Sequence, residues 1–579
     1  MRNTIKTVKP SKSVRVVQFD TTANAPADSA RRMIEAIDAA RADGVGLVVF
    51  PYASVAFPDD NARDDFVSDC NDAALSVIAA TEGISVLFSS PVLDDDGVNS
   101  YWSVFAEDGR LSAFGDADES TSLVSAYCGK FTIVPSAEIA DGTVVDTEKG
   151  SKFLVVQGRE PFHRDEIESL ENALSATAKK KKLPLFYANS VGIENTGKCV
   201  SVYRGDSAVF DARGRKVATA ASFVETDITM AVADCGRTCA LPELPPFGST
   251  VADIAEVLRF ALRDFMAQLG IKRVVIGVSG GIDSAVSAAL YGSIMPAEDI
   301  LLVSMPGPFT SGTTRRLGQQ LAQNLGARFA ELPIGESVDL TKRQFAELIT
   351  AGPHGAMAGA WSLSSFMVEN VQARDRGSRV LAAAASAFGG VISCNANKDE
   401  CTVGYGTLYG DIAGWLCALG DLWKGDVYGV GRYLNDSVFK REIIPEGIFT
   451  IKPSAELSEK QAVEKGLGDP LVYPYHDRLF QVWVEENASP YECLDWYANG
   501  ILGEMLGYEG DVNALFKTPA DFIADLERWW NLYQGLAVAK RMQAPPVISV
   551  CSRSFGSFAE AQNGPYYSPR YKELKKKVI

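Results

Sequence analysis

The amino-acid sequence predicts an α/β fold, with a layered α/β or α+β sandwich in the first half and a doubly wound parallel sheet in the second. Its 579 residues are 46% apolar and 22% charged, which is typical of a folded chain of two or three domains. Short β-branched runs alternate with amphipathic stretches in both halves. A proline-rich segment, residues 240–249, separates the halves, and we expect it to be a linker.

The first half, residues 13–239, has the pattern of many short strands with interspersed helices. An amphipathic stretch predicts a helix over residues 29–42, and residues 206–220 predict a hairpin that turns at Arg213 and Gly214. Runs of β-branched and aromatic residues predict the other strands, over residues 14–20, 46–51, 84–91, 131–135, 152–158 and 183–192.

The second half, residues 250–579, has the pattern of βαβ units. Thr250 is suited to cap a helix whose apolar residues recur at helical spacing until Gly270. The segments 273–278, 300–306 and 391–394 are almost uninterrupted apolar runs, as in a parallel sheet that is buried on both faces. Helical patterns lie between them, which favours a doubly wound sheet.

Composition excludes several classes of protein. The sequence has 56 Lys and Arg against 73 Asp and Glu, a net charge of −17, which argues against a broad nucleic-acid surface. The longest charge-free apolar stretch near the middle, residues 380–394, is short and rich in small residues, so we expect no membrane span. Ten cysteines without zinc spacing favour a reducing, cytoplasmic location.

The most informative segment follows the strand that ends at Val278. Glycines in this loop would allow a ligand to approach the backbone, and the N-terminus of the following helix favours a phosphate. The carboxylate of Asp283 suits such a place if a magnesium ion lies between it and the phosphates. The alternative is a turn that only caps a helix. The loop residues are Ser279, Gly280, Gly281, Ile282, Asp283 and Ser284.

This loop resembles the SGGxDS loop of ATP pyrophosphatases, which transfer AMP and hold the departing pyrophosphate. Downstream segments resemble those of NAD synthetases: MVENVQARDRG, NANKDECTVGYGTLYGD, LWKGDVY, IKPSAELSEKQ and KRMQAPP. The resemblance covers most of residues 250–560. It implies a domain with an adenine nucleotide alpha hydrolase-like sheet, with Mg²⁺ as cofactor and ATP as co-substrate.

The resemblance also implies roles for single residues. Asp283 and Glu400 would share the magnesium ion, and Lys424 would neutralise pyrophosphate charge. Ser454 corresponds to a hydroxyl residue that contacts nucleotide near the reacting centre. Each of these side chains has an alternative as a surface group or a cap, which the sequence leaves open. The residues implied to hold deamido-NAD are Asn370, Arg374 and Asp411.

Several positions depart from the family pattern. Residues 395–397 are Asn-Ala-Asn where the family usually has Thr-Gly-Asn, and Asp399 replaces a Ser. Gly425 replaces the Thr that follows the family's lysine, and the stretch after Gln461 differs in length. These departures affect the expected nucleotide contacts and leave the loop chemistry unchanged.

The first half resembles a nitrilase-type amidase, which makes ammonia from glutamine in two-domain NAD synthetases. Such amidases use a Cys nucleophile, a Glu base and a Lys. Here Tyr52 stands at the Glu position and Ser136 at the Cys position, and residues 109–125 contain no Lys. We predict a degenerate amidase domain in which Cys128 is a buried thiol; the alternative is a divergent, functional site.

The sequence therefore predicts an NAD synthetase that amidates deamido-NAD with ATP and uses free ammonia. The alternatives are a glutamine-dependent NAD synthetase, another adenylating amide ligase and a non-catalytic nucleotide-binding protein. The family resemblance also implies a homo-oligomer built on a dimer of synthetase domains.

Overall fold

The computed structural model describes residues 12–57, 64–93, 99–140, 147–236, 247–248, 250–353, 355–358, 361 and 363–579. The chain divides into two compact units. The first comprises Met1–Thr196 and Ser201–Ser249, and the second comprises Gly197–Val200 and Thr250–Ile579. Most of the expected linker, residues 240–246 and 249, lies outside the described residues.

The described part of the first unit is built on two six-stranded sheets, ordered β14-β1-β2-β3-β4-β5 and β13-β12-β9-β8-β7-β6. Strand β11 begins with two residues that belong to the second unit. The elements in chain order are β1 Ser13–Gln18, α1 Pro26–Ala42, β2 Leu47–Val49, α2 Asp64–Ala79, β3 Ser85–Leu93, β4 Asn99–Glu107, β5 Arg110–Asp116, β6 Thr121–Ser125, β7 Gly129–Ile133, α3 Ser136–Ala140, β8 Leu154–Gln157, α4 Ile167–Lys181, β9 Leu185–Ala188, β10 Val191–Asn195, β11 Cys199–Arg204, β12 Ala208–Phe210, β13 Lys216–Thr219, β14 Thr226–Ala231 and α5 Val232–Gly236.

The two sheets of the first unit pack face to face because their strands alternate between two buried faces. Val14 and Val16 of β1 contribute to a core that also contains Phe131 and Phe153 from the other sheet. Val17 faces the opposite side, where the core includes residues of α1 and α2. Helices α3 and α4 cover the outer face of the second sheet. The layers are therefore helix, sheet, sheet and helix, as the predicted sandwich requires.

Two local predictions in the first unit have different outcomes. The hairpin is confirmed, because β12 and β13 pair antiparallel around Gly214, which has a φ of +82°. The single strand expected over residues 183–192 is wrong, since β9 and β10 are separate strands. The break lies at Asn189, whose side chain donates to the Gly205 carbonyl oxygen at 2.8 Å and takes the chain out of the sheet.

The strands that the second unit contributes to its main sheet run parallel, in the order β11-β22-β21-β20-β15-β16-β17. Only Cys199–Val200 of β11 belongs to this unit. The further elements in chain order are α6 Val251–Gln268, β15 Val274–Gly277, α7 Ile282–Gly292, β16 Ile300–Ser304, α8 Gly312–Leu325, β17 Arg328–Glu331, α9 Gly335–Ala346, β18 Ile349–Gly352, β19 Gly355–Ala358, α10 Ser365–Arg374, α11 Ala382–Phe388, β20 Val391–Cys394, α12 Lys398–Val403, β21 Leu416–Cys417, α13 Lys424–Tyr433, α14 Glu446–Thr450, α15 Tyr473–Val484, α16 Pro490–Ala498, α17 Leu502–Leu506, α18 Val512–Leu515, α19 Pro519–Tyr533, α20 Leu536–Gln543, β22 Val547–Ile548 and α21 Pro569–Val578.

The strand order reverses direction at β15, which lies between β16 and β20. Ligands of doubly wound sheets bind outside the carboxyl ends of the strands at such a switch point. The loop that starts at Val278 leaves β15 at this edge, and the segment from Asn395 leaves β20 there. The predicted α/β fold class is confirmed in both units.

Helix α6 begins as the sequence predicts. The Thr250 hydroxyl accepts from the Asp253 N–H at 3.4 Å, and the Asp253 carboxylate accepts from the Thr250 N–H at 2.9 Å. This reciprocal pair is a capping box. Gly270, which has a φ of +66°, follows the end of the helix.

The C-terminal helices of the second unit pack around aromatic side chains. Trp483, Phe480 and Trp529 are among the residues at the centre of this cluster. This cluster fixes α15, the helix that carries Tyr473 and Asp477. In the described part of the chain, no helix is long and apolar enough to cross a membrane.

Candidate active site at the switch point

The loop between β15 and α7 presents backbone N–H groups at the carboxyl edge of the sheet. Ser279 and Ser284 hold it closed, since their hydroxyl oxygens lie 3.3 Å apart. The Gly281 N–H donates to the Ser279 hydroxyl at 3.2 Å. Helix α7 then begins at Ile282 with no side-chain cap, so that its N-terminus is suited to an anion.

Gly280 is required by the shape of this loop. Its φ is +83°, a conformation that residues with a side chain rarely adopt. A Cβ atom at this position would lie 2.2 Å from the carbonyl oxygen of Thr314 on α8. The loop therefore packs directly on the backbone of α8, and a glycine is the residue that allows it.

Asp283, in the first turn of α7, is bound by two donors from other elements. Lys424 donates from its ammonium group to Oδ2 at 2.6 Å, and Asn397 donates from its amide to Oδ1 at 2.9 Å. The Lys424 side chain is only 3% exposed. Burial lowers the pKa of Lys424, but the charges of Asp283 and Glu400 together have the larger effect and raise this pKa above its ordinary value. The ammonium group therefore stays charged at the mouth of the loop.

Glu400 lies beside this pair because it closes the capping box of α12. Its backbone N–H donates to the Asn397 side chain at 3.0 Å, and its carboxylate accepts from the Asn397 N–H at 3.4 Å. Burial and the charge of Asp283 raise the pKa of Glu400 well above its ordinary value. An ionised Glu400 is thus costly unless a cation approaches it.

The donor set suits a hard divalent cation that also binds phosphate. In the described residues, no group of three or more His, Cys, Asp and Glu side chains is arranged to hold a metal alone. Magnesium commonly uses one or two carboxylates, with water and phosphate oxygens as its other ligands. The carboxylates of Asp283 and Glu400 fit that pattern, since the charge of Asp283 disfavours that of Glu400 unless a cation lies near them.

These side chains line one cleft of about 400 Å³ in the second unit. Asn370 and Asp411 lie on the wall of the cleft, where both bind Thr407. The Thr407 hydroxyl donates to Oδ1 of Asn370 at 2.9 Å, and the Thr407 N–H donates to Oδ1 of Asp411 at 2.8 Å. Ser454 also lines the cleft and donates to the Gln461 carbonyl oxygen at 2.6 Å. Residues far apart in sequence are thereby brought together.

Arg374 has a different place from the other sequence-predicted residues. It is exposed at the end of α10, where its guanidinium donates to the Leu408 carbonyl oxygen at 3.2 Å. The arginine that lines the cleft is Arg376, which donates to the Met305 carbonyl oxygen at 3.0 Å. Helix α10 ends at Arg374, and Arg376 lies in the π-helical segment that follows, Asp375–Leu381.

The charged residues of the cleft that sequence reasoning missed include Asp469 and Lys540. Asp469 accepts from the Tyr405 hydroxyl at 3.0 Å and from the Ala455 N–H at 3.1 Å. It lies in the stretch that departs from the family pattern, so no motif pointed to it. Lys540 donates to the carbonyl oxygens of Gly404 and Gly406, both at 2.6 Å. This lysine belongs to the KRMQAPP segment, which could have identified it.

The helix that carries Lys424 is capped by two aspartates from other helices. Asp399 of α12 accepts from the Lys424 N–H at 2.8 Å, and Asp477 of α15 accepts from the Gly425 N–H at 2.9 Å. The remaining oxygen of each carboxyl, Oδ1, is buried and has no hydrogen-bond partner among the described residues. Burial raises the pKa of Asp477 to about 6, and burial together with the Asp477 charge raises that of Asp399 well above its ordinary value.

In the first unit, Tyr52 follows β2 and Ser136 is the first residue of α3, directly beyond β7. The Tyr52 ring lies against Tyr101 with a centroid distance of 4.8 Å. Burial and the charges of Asp118 and Asp116 raise the pKa of the Tyr52 phenol above its ordinary value. Cys128 is a core thiol that donates to the Ser13 carbonyl oxygen at 3.3 Å, and burial raises its pKa to about 12.

Comparison with known proteins identifies the second unit. Residues 254–498 match the family model described as NAD synthase. The second unit contains an NAD synthase domain. The whole chain is 27% identical to a glutamine-dependent NAD(+) synthetase of Xanthomonas campestris, over 94% of this chain and 95% of the relative. It is 25% identical to one of Synechocystis, over 94% of this chain and 97% of that protein.

Two solved structures share the fold along nearly the whole chain. A glutamine-dependent NAD(+) synthetase from Cytophaga hutchinsonii has a TM-score of 0.74 at 14% identity, covering 98% of this chain and 99% of its own. One from Acinetobacter baumannii in complex with ADP has a TM-score of 0.64 at 20% identity, covering 94% of this chain and 97% of its own. At these identities the likeness establishes the architecture of the NAD synthase domain and of the unit that precedes it.

The loop of the NAD synthase domain can be tested by Gly280→Ala. Since the added Cβ would meet the Thr314 carbonyl oxygen, the loop must shift, and we expect ATP affinity to fall by at least about tenfold. Gly335→Ala is the matched control, because no atom lies within 4 Å of a Cβ added there. Isothermal titration calorimetry with ATP measures both variants. Equal ATP affinities of Gly280→Ala and wild type would contradict the role of this loop in ATP binding.

The two carboxylates of the site are expected to have opposite effects on the stability of the ligand-free protein, because only Asp283 is paired with Lys424. Glu400→Gln removes a carboxylate that burial and Asp283 disfavour, so we expect Tm to rise by about 2–4 °C. Asp283→Asn leaves the buried Lys424 ammonium without its partner, so we expect Tm to fall. Differential scanning calorimetry in the presence of a chelator measures both. A lower Tm for Glu400→Gln would refute this account of the site.

Proposed function

We propose that this protein makes NAD from deamido-NAD by ATP-dependent amidation, and that free ammonia supplies the nitrogen. The observation that carries the proposal is the position of Asp283, Lys424 and Glu400 beside the loop of residues 279–284, within an NAD synthase domain. This combination places a fixed ammonium group, two carboxylates and the N-terminus of α7, which has no side-chain cap, at one end of a cleft. Such a site suits a reaction that develops charge on pyrophosphate.

In the first step, a carboxylate oxygen on the nicotinate ring of deamido-NAD attacks the α-phosphorus of ATP. The bond between this phosphorus and the bridging oxygen breaks, and pyrophosphate leaves with the electron pair. The loop N–H groups and the Lys424 ammonium would hold the leaving charge. Asp283 and Glu400 would hold a magnesium ion, which supplies further positive charge to the phosphate oxygens.

In the second step, ammonia attacks the carbonyl carbon of the resulting acyl adenylate. The bond to the AMP oxygen breaks, one proton of the added nitrogen passes to solvent, and NAD and AMP are formed. Neutral ammonia is already a nucleophile, so a strong base is not required. Asn370 and Asp411 would orient the dinucleotide from the cleft wall, and Ser454 would lie near the nucleotide.

The use of free ammonia is supported by the chemistry of the first unit. Tyr52 and Ser136 occupy the positions at which an amidase would need a carboxylate base and a thiol nucleophile. Burial raises the pKa of Cys70, Cys128 and Cys235 to about 12. These are the cysteines of the first unit that the structure describes, and thiols of this kind are poor nucleophiles at neutral pH. We propose that this unit is retained for structure or assembly.

Glutamine is the second candidate for the nitrogen donor. It is favoured by the relatives that align along 94% of this chain, which are named as glutamine-dependent enzymes. In that case a divergent amidase site would lie in the first unit. The dimer of synthetase domains implied by the resemblance stays a prediction under either donor.

An assay with deamido-NAD, ATP and Mg²⁺ tests the function and separates the two donors. We expect equal amounts of NAD and AMP with ammonium chloride, and a rate with glutamine at least about 100-fold lower at equal concentration. Cys128→Ala is the control for a relocated nucleophile and should change neither rate. Glutamine turnover that equals the ammonium rate would refute ammonia dependence, and no NAD with either donor would refute the proposed function.

A further inference from the structure

Two departures from the family pattern, Asp399 and Gly425, lie at the same helix end. Helix α13 begins with Lys424, and the preceding residue is Trp423. Helix N-termini usually receive a side-chain acceptor from Ser, Thr, Asp or Asn at this position. An indole has only a donor, and that of Trp423 is used on Glu485 at 2.8 Å. The acceptors for the first N–H groups must come from elsewhere.

We propose that Asp399 and Asp477, here called the carboxyl pair, position Lys424 for pyrophosphate departure by fixing the N-terminus of α13. Each carboxyl accepts one of two successive backbone N–H groups, of Lys424 at 2.8 Å and of Gly425 at 2.9 Å. The pair thus fixes the backbone from which the lysine side chain extends. The proposal rests on the proposed function, in which the Lys424 ammonium binds the leaving group.

Helix α15 holds both ends of Lys424. Asp477 fixes the adjacent backbone, while the Tyr473 ring, one helical turn away on the same face, lies 4.8 Å from the Lys424 ammonium. A flexible four-carbon chain is thereby fixed at its base and at its tip. This explains how an ammonium group on a flexible side chain can stay 2.6 Å from Asp283 before any ligand is present.

Gly425 lies against one member of the carboxyl pair. A Cβ atom at this position would lie 3.5 Å from Oδ2 of Asp477, an ordinary van der Waals contact. The branches of the family's threonine would extend from this Cβ beside the carboxyl that accepts the Gly425 N–H. The two departures, at 399 and 425, therefore lie at the same helix end, although the sequence shows them only as separate positions.

The chemistry of the pair predicts which substitutions it tolerates. The Oδ1 atoms of both carboxyls are buried, and no N–H donor of the described residues reaches them. An amide in place of the Asp477 carboxyl keeps an oxygen that can accept the Gly425 N–H, whereas a methyl group has no acceptor. Asp477→Asn should therefore preserve the arrangement, whereas Asp477→Ala should remove it.

The test measures kcat, KM and Tm for the full-length protein with deamido-NAD, ATP, Mg²⁺ and ammonium chloride. For Asp477→Ala we expect kcat to fall at least about tenfold, with both KM values within about twofold of wild type. Asp477→Asn should retain more than about half of the wild-type kcat. If Asp477→Ala does not fold, Asp477→Ser replaces it with the same expectation, since its hydroxyl is too short to reach the Gly425 N–H.

Asp521→Ala is the matched control for stability. Asp521 closes the capping box of α19 with Thr518 and does not line the cleft. We expect this variant to lower Tm and leave kcat unchanged, which separates a positioning effect from a general loss of stability. An unchanged kcat in Asp477→Ala, or an equal loss in Asp477→Asn and Asp477→Ala, would overturn the proposal.

A second readout does not depend on turnover. Calorimetry with inorganic pyrophosphate and Mg²⁺ should show at least about tenfold weaker binding to Asp477→Ala than to wild type or Asp477→Asn. A wild-type protein that binds pyrophosphate but makes no NAD would refute the proposed function without contradicting the proposed role of the carboxyl pair. Equal pyrophosphate affinity in Asp477→Ala and wild type, or no pyrophosphate binding by wild type, would overturn the proposed role of the carboxyl pair in positioning Lys424.

Discussion

The ion pair between Lys424 and Asp283 is the interaction on which the rest of the site depends. The ammonium group is almost fully buried and lies 2.6 Å from the carboxylate at the start of α7. A buried charge of this kind is stable only when it is paired and hydrogen-bonded. The surrounding groups serve this requirement: Asn397 binds the other oxygen of Asp283, and α15 places the Tyr473 ring near the ammonium.

The doubly wound sheet supplies the geometry that this pair needs. Parallel strands bring their carboxyl ends to one edge, so that the loop after β15 and the segment after β20 meet although they are more than 100 residues apart. The close packing of Gly280 on α8 then holds the loop at the edge of the cleft. Charge and backbone are thus arranged before a substrate arrives, which is what electrostatic catalysis requires.

Much of the fold could be predicted from sequence, because apolar runs and helical spacing report burial directly. The strands β15, β16 and β20 and the capped helix α6 follow from such local patterns. The exposed place of Arg374 could not, because a motif gives the identity of a residue but does not show which of two nearby arginines faces the cleft. The meeting of Asp399 and Asp477 at one helix end was hidden as well, because the two residues lie on helices that are distant in the chain and the motif that contains Asp399 does not reach Asp477.

The central claim is that Lys424 and the loop hold the pyrophosphate expelled when the nicotinate carboxylate attacks ATP. Isotope exchange between labelled pyrophosphate and ATP, without any nitrogen donor, measures this step alone. We expect exchange that requires deamido-NAD and falls at least about 100-fold in Lys424→Met. Exchange at the wild-type rate in Lys424→Met, or exchange without deamido-NAD, would contradict the claim.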